Sequence, residues 1–204
     1  MSPLPSSERR LLLDVARNAL RAAVDASFAF RDLPSAPNLP LSAGAFVTLH
    51  RTGRLRGCIG QIGAPQPTIP VVAYCTRAAA LDDPRFRPVQ IDELPEIKIE
   101  LSILSALEEI ALERIEIGKH GLVVTRGGSR GVLLPQVAAQ HRLDALRFLE
   151  ETCAKAGLDR GAWNKPGTRI EAFTAEVFCE PELCADASGS SWRPRGGTRY
   201  SSST

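Results

Sequence analysis

The sequence predicts an α+β fold, in which helices cover a largely antiparallel sheet built from hairpins. Two observations lead to this class. Apolar residues recur at helical spacing in three segments, and alternating apolar segments are joined by short glycine-containing connections typical of hairpins. The 204 residues, 44% of them hydrophobic, suit a single domain with an ordinary core.

The first half of the chain alternates helix and strand. The spacing of leucine, valine and alanine predicts an amphipathic helix over about residues 7–27, and three prolines in residues 34–40 predict a loop. Alternation in residues 45–50, followed by the turn at Thr52-Gly53, predicts the first hairpin. A second helix is predicted over 69–81, with Thr68 as its N-cap, because Pro84 disfavours helical geometry at the preceding residue.

The second half follows the same logic. Period-two alternation predicts a strand over 97–103, and Gly127-Gly128 predicts the tight turn of another hairpin. A helix is expected over 143–156 with Gly157 just beyond its end, followed by one strand over 169–179. After Pro181 the chain is rich in Ser, Gly and Arg and lacks periodicity, which predicts a flexible tail.

Composition excludes several functional classes. The net charge of +2 and an aromatic content of 5% argue against nucleic-acid binding, which would rest only on the basic tail. No apolar run approaches the length of a membrane span and the N-terminus lacks a secretory pattern, so a cytoplasmic protein is expected. Five cysteines at irregular spacing do not suggest a disulfide framework, and neither they nor the three histidines show zinc-ligand spacing. Phosphate-loop, dinucleotide and hydrolase-elbow motifs are absent from the sequence.

The segment with the strongest functional signal is Leu55-Arg56-Gly57-Cys58-Ile59-Gly60, on the return strand of the first hairpin. Simple alternation places Arg54, Arg56 and Cys58 on one face of the strand. A guanidinium near a thiol lowers its pKa, and the thiolate is the reactive form. His50 is expected to pair with Leu55 and so to face away from Cys58, although a one-residue change in register would reverse this.

This segment resembles the signature of the AMME chromosomal region protein family, the AMMECR-type domain. Further matching segments follow in the family's order: Asp83-Pro84-Arg85-Phe86, Gly131 to Gln136, and Cys153 to Leu158 with Trp163. The resemblance covers about residues 8–182, so we expect an AMMECR-type domain over 1–182 and a tail over 183–204. It implies two unequal lobes that share one chain path. Family members in prokaryotes often occur with, or fused to, a Memo-like protein and a radical S-adenosylmethionine enzyme.

Two functional hypotheses follow. In the first, the protein is a thiol-dependent enzyme or carrier: Cys58 is the nucleophile, Arg56 stabilises the thiolate or an anionic substrate, and His120 or Glu100 transfers protons. Glu100 would serve as a base or salt-bridge partner if the sheet places it beside Arg56, and otherwise is an exposed strand carboxylate.

In the second hypothesis, the protein is a non-catalytic binding or scaffold module that uses the hairpin surface of Leu55–Gly60. Glycine in mid-strand often marks a bulge or a place where a ligand or another backbone comes close, and in this hypothesis Gly57 and Gly60 would admit the ligand. Arg56 with Arg85 would bind a protein or a small anionic ligand. Arg85 has an alternative structural role as a cap for helix carbonyls, and Gln136 either faces a site or caps a turn. Cys58 would then be a packing residue, as we expect for Cys75 and Cys153.

Overall fold

The computed structural model describes residues 3–30, 32–36, 39 and 41–180. Within this part of the chain there are four α-helices, with bounds α1 Ser6–Val24, α2 Thr68–Leu81, α3 Pro135–Gln140 and α4 Ala145–Lys155. The eight strands are β1 Ser42–Arg51, β2 Arg54–Gln66, β3 Ile97–Leu104, β4 Glu108–Glu109, β5 Gly121–Arg126, β6 Ser129–Leu133, β7 Thr168–Phe173 and β8 Ala175–Cys179. Short 3₁₀ segments at Ile91–Glu96, Leu112–Arg114 and Arg160–Asn164 connect them.

The strands form two antiparallel four-stranded sheets, with orders β2-β1-β3-β8 and β4-β7-β5-β6. The predicted α+β class is therefore confirmed, with two sheets where the sequence had suggested one. Helices α1 and α2 bury one face of the first sheet, and α3 and α4 bury one face of the second. A third, smaller apolar cluster, containing Phe46, Leu104, Val123 and Phe173, packs the sheets against each other.

The prediction of a single strand over 169–179 was wrong. The chain leaves the second sheet at Phe173 and enters the first sheet at Ala175, so Thr174 lies where the chain passes from one sheet to the other. Ser105 lies where the chain leaves the first sheet after β3, and two hydrogen bonds link Ser105 to Thr174. The Ser105 N–H donates to the Thr174 carbonyl at 2.9 Å, and the Thr174 N–H donates to Ser105 Oγ at 3.0 Å.

Most helix and turn predictions agree with the structure. Gly157 adopts φ 72° beyond α4, as expected, and Gly127 adopts φ 58° in its hairpin turn. Thr68 was wrongly predicted to be an N-cap, because α2 begins at Thr68 and Pro67 occupies the capping position. The predicted tail over 183–204 lies outside the described residues. No helix in the described part of the chain is both long and apolar enough to cross a lipid bilayer.

Candidate functional site

The first hairpin contains an irregularity that sets the geometry of the site. Its turn is Thr52-Gly53, with φ 49° and 74°, as a tight two-residue turn requires. His50 pairs with Leu55 as predicted, but the next pair along is Leu49 with Gly57. Arg56 is therefore an extra residue in β2, a bulge that has no partner in β1.

The bulge shifts which side chains share a face. Because it adds one residue, Cys58 lies directly opposite Thr48, and directly opposed residues point to the same side of a sheet. His50 is two residues from Thr48 and lies on that side as well. The expectation that His50 faces away from Cys58 was therefore wrong, as was the simple alternation that grouped Arg54, Arg56 and Cys58.

Cys58 belongs to a row of side chains across the first sheet. Thr48 on β1 lies opposite Cys58 on β2 and also opposite Glu100 on β3. The Thr48 hydroxyl donates to Cys58 Sγ at 3.4 Å. This face points away from α1 and α2, which pack against Val47 and Leu49 on the other side of the sheet. The row therefore brings a thiol, a hydroxyl and a carboxyl group together on one surface.

One clamp on the row is formed by the segment after α2. Asp83 accepts the backbone N–H of Cys58 at 2.8 Å, and Arg85 donates to the Cys58 carbonyl at 3.2 Å. Arg85 also donates to both oxygens of Asp83, at 2.9 and 2.7 Å. Burial raises the pKa of Asp83, but the hydrogen bonds from Arg85 and Cys58 outweigh it and hold the pKa below its ordinary value. Asp83 and Arg85 therefore bind the N–H and the carbonyl of Cys58 at the outer edge of β2, where a neighbouring strand would otherwise form hydrogen bonds.

A second clamp holds the bulge. Arg56 donates to both carboxylate oxygens of Glu93, at 2.9 and 2.8 Å, and to the carbonyl oxygens of Arg87 and Pro88, at 2.9 and 3.4 Å. Arg51 donates to the same carboxylate at 2.7 Å. The hydrogen bonds from Arg56, reinforced by Gln90 and Arg51, lower the pKa of Glu93 from 4.5 to about 2, although burial opposes them.

The expectation that Arg56 activates Cys58 was wrong, because Arg56 is bound to Glu93 instead. Burial raises the pKa of the Cys58 thiol. The Thr48 hydrogen bond and the charge of Arg85 act in the lowering direction without reversing the shift, and Asp83 and Glu100 raise the pKa further. Cys58 is therefore a protonated thiol at neutral pH.

The other cysteines differ from Cys58 in exposure. Cys75 and Cys153 are fully buried free thiols, and burial raises the pKa of both, that of Cys75 to about 12. Their interpretation as core residues is confirmed. Cys179, opposite Glu100 on β8, is disulfide-bonded, which the sequence did not suggest. Cys58 is half-buried, which makes it the accessible member of the three free thiols in the described part of the chain.

Glu100 is neither beside Arg56 nor an exposed carboxylate, the two alternatives that the sequence left open. It is half-buried in the middle of the row, next to Thr48. Burial raises its pKa above the ordinary value for a glutamate. Among the described residues, its carboxylate has neither a hydrogen-bond partner nor an ion-pair partner.

The two glycines of the signature serve packing. A Cβ at Gly57 would overlap the Ala79 carbonyl of α2, and a Cβ at Gly60 would overlap the Phe46 ring. Absence of a side chain at Gly57 lets α2 approach β2, and at Gly60 it makes room for an aromatic ring of the cluster between the sheets. These positions are therefore explained by internal packing, without a ligand.

His120 and Gln136 do not join the row. His120 lies in a turn before β5, where its Nδ1 accepts the backbone N–H of Glu116 at 3.1 Å beside Lys119. Gln136 is an exposed residue in the first turn of α3, in the second lobe. Their assignment to the site remains a prediction from sequence. The described residues contain no group of three or more His, Cys, Asp or Glu side chains arranged to hold a metal ion.

Two residues of this site, Thr48 and Asp83, carry no clear functional signal in the sequence. Thr48 was visible only as a polar residue in an apolar alternating run, and Asp83 only as the residue that ends a helix before proline. Neither observation reveals that a bulge places Thr48 opposite Cys58, or that Asp83 binds the Cys58 N–H from 25 residues away.

Comparisons with known proteins give a consistent result. The model of the AMMECR1 family matches residues 9–178. A protein of Methanothermobacter thermautotrophicus is 40% identical over 189 residues, which cover 88% of this chain and 97% of that protein. A protein of Pyrococcus furiosus is 42% identical over 164 residues, covering 74% of this chain and 76% of that protein. The crystal structure of the uncharacterized protein PH0010 from Pyrococcus horikoshii is similar, with a TM-score of 0.69, 36% identity and coverage of 83% of this chain and 90% of that one.

Proposed function

Because this chain belongs to the AMMECR1 family, we propose that it is a cytoplasmic binding component of a system containing a Memo-like protein and a radical S-adenosylmethionine enzyme. Its working surface is the face of the first sheet that carries Cys58, Thr48, Glu100, Ser102 and Val177, here named the Cys58 face. The observation that supports this proposal most strongly is that the row is held by two clamps and contains an unactivated thiol.

The two clamps support binding because they fix the surface before a partner arrives. Asp83 and Arg85 hold the backbone of Cys58 from one side, and Arg56 with Glu93 holds the bulge two residues earlier. A surface that is already ordered loses less conformational entropy when it binds.

Exposed apolar area on the same face also favours a binding role. Val177 on β8 pairs with Ser102, two residues beyond Glu100 on β3, and is 54% exposed. A partner that covers this face would bury the Val177 side chain next to Ser102 and close to Glu100. The Memo-like protein and the radical enzyme are the partners that the family resemblance implies.

An anionic ligand held by Arg56 and Arg85 is less well supported than the sequence suggested. Each guanidinium already donates two hydrogen bonds to a carboxylate, Arg56 to Glu93 and Arg85 to Asp83. Those charges are neutralised within the protein, so an incoming anion would have to compete with bidentate ion pairs.

The experiment is a quantitative binding assay with the purified Memo-like protein and radical enzyme of the same organism. Val177→Trp places a large side chain at an exposed position on the Cys58 face, and Leu146→Trp places the same side chain at an exposed position on α4. We expect Val177→Trp to weaken binding by about tenfold or more, as for loss of a central contact, and Leu146→Trp to leave it unchanged. Equal affinities for both variants and the wild type would refute the proposal.

A thiol-dependent reaction is the second candidate, and one observation favours it: among the free thiols of the described residues, Cys58 is the one that is not fully buried. Here Glu100, which lies in the same row, would serve as the base for the thiol proton, because a raised carboxyl pKa makes a stronger base. In a mixture of the three proteins, Cys58→Ser would abolish product formation while complex formation and the fold persist. Unchanged product formation in Cys58→Ser would exclude this candidate.

A further inference from the structure

We infer that the group recognised on the Cys58 face carries a protonated amine or a guanidinium, which docks on the Glu100 carboxylate. This inference rests on the proposed function and names the chemistry of its ligand. It starts from the position of Glu100 on β3, a central strand flanked by β1 and β8.

The other buried or half-buried carboxylates on the described strands have a cation. Glu171 on β7 forms an ion pair with Arg169 at 3.2 Å, and Glu176 on β8 forms an ion pair with Arg9 at 2.7 Å. Within the same part of the chain, no ion pair involves Glu100. A partly desolvated carboxylate without a partner carries an uncompensated cost, which an arriving cation would remove.

The groups around Glu100 do not replace that cation. Five titratable or charged residues of the described chain share its face or approach the row, namely Cys58 on β2, His50 on β1, Lys98 on β3, and Asp83 and Arg85 in the loop after α2. None of them lowers the pKa of Glu100, whose shift has burial as its cause. The directly opposed neighbours, Thr48 and Cys179, carry no charge that would repel a cation.

The site also discriminates by charge. An anion approaching the row would be repelled by the Glu100 carboxylate, whereas an ammonium or guanidinium would gain charge-assisted hydrogen bonds from it; the charges of Lys98 on the same face and of Arg85 oppose this preference. Thr48 Oγ1 and Cys58 Sγ offer additional acceptors for the N–H groups that point past Glu100. The same chemistry comes either from a lysine or arginine side chain of a partner protein or from a small amine.

The test uses N-acetyl-lysine amide as the probe, and its Nε-acetylated analogue as the neutral control, titrated into full-length 15N-labelled protein. We expect amide signals of residues 98–102 to shift with the amine and not with the acetylated analogue. Glu100→Gln, which keeps the side-chain shape, would weaken this binding by about tenfold or more. Glu108→Gln, at an exposed position in the second sheet, would leave it unchanged.

The outcomes separate the sources and the two proposals. If Glu100→Gln also weakens binding of the protein partners, the cation belongs to a partner side chain. If amine binding depends on Glu100 while partner binding does not, the ligand is a small amine. If Glu100→Gln changes neither amine binding nor partner binding, the inference is overturned. The proposed function is then tested separately by the effect of Val177→Trp on partner binding. Equal shifts with the amine and its acetylated analogue would also overturn it.

Discussion

Glu93 stabilises the hairpin, and removing its charge should destabilise the protein in a pH-dependent way. Arg56, Arg51 and the Gln90 N–H all donate to its carboxylate, which is 8% exposed. A pKa lowered from 4.5 to about 2 corresponds to about 3 kcal/mol between the charged and neutral forms. Because the Arg51 side chain is 39% exposed, solvent screening reduces the expected contribution to about 2 kcal/mol.

The sign follows from the lowered pKa. The contribution of Glu93 is fully present above pH 4.5, the pKa it has without its partners, and is lost as pH falls towards 2. Glu93→Gln should therefore lower the free energy of unfolding by about 2 kcal/mol at pH 7, and the gap to the wild type should narrow below pH 4.

The assay is urea unfolding followed by circular dichroism at a series of pH values. Glu96→Gln is the matched control, because Glu96 is 47% exposed and, among the described residues, pairs with Arg51 alone, so a loss below about 1 kcal/mol is expected. A stability gap for Glu93→Gln that stays constant between pH 7 and pH 2.5 would refute the electrostatic argument.

Two further predictions concern the support of Cys58. Gly57→Ala should lower the free energy of unfolding by about 2 kcal/mol, because the added methyl group meets the Ala79 carbonyl, whereas Gly63→Ala, where the space is open, should cost less than half as much in urea unfolding. Asp83→Asn should cost about 2 kcal/mol and accelerate hydrogen exchange at the Cys58 N–H, and unchanged exchange in this variant would show that Asp83 does not clamp the strand.

The two-residue turn and pairing of His50 with Leu55 were predictable because turn chemistry and alternation are local signals. The bulge at Arg56 was not predictable from the sequence, because the contacts that hold it are non-local. The Arg56 guanidinium binds Glu93 and two carbonyl groups more than 30 residues away. These contacts hold Arg56 at a position where it has no pairing partner in β1. The neighbouring position of Arg56 in the sequence suggested it as the cation beside Cys58, whereas in the structure the cation that acts on Cys58 is Arg85, 27 residues away.

The second sheet shows a related limit of sequence patterns. The sequence of residues 169–179 has a strand-like pattern throughout, so it predicts one continuous strand, whereas the structure has two, β7 and β8. The two strands are separated at Thr174, which is hydrogen-bonded to Ser105, and the sequence around neither residue reveals this pair. Glu100 is a third case: alternation identified its face, but only the register beside Thr48 placed it in the row.

The central claim is that Cys58 lies on a preformed binding face and is not an activated nucleophile. The most direct measurement is the pH dependence of alkylation of each cysteine in the folded protein, read by mass spectrometry. We predict that Cys58 reacts before the buried Cys75 and Cys153, with an apparent pKa above the ordinary value of a cysteine thiol. An apparent pKa below the ordinary value would contradict the account and restore Cys58 as a nucleophile.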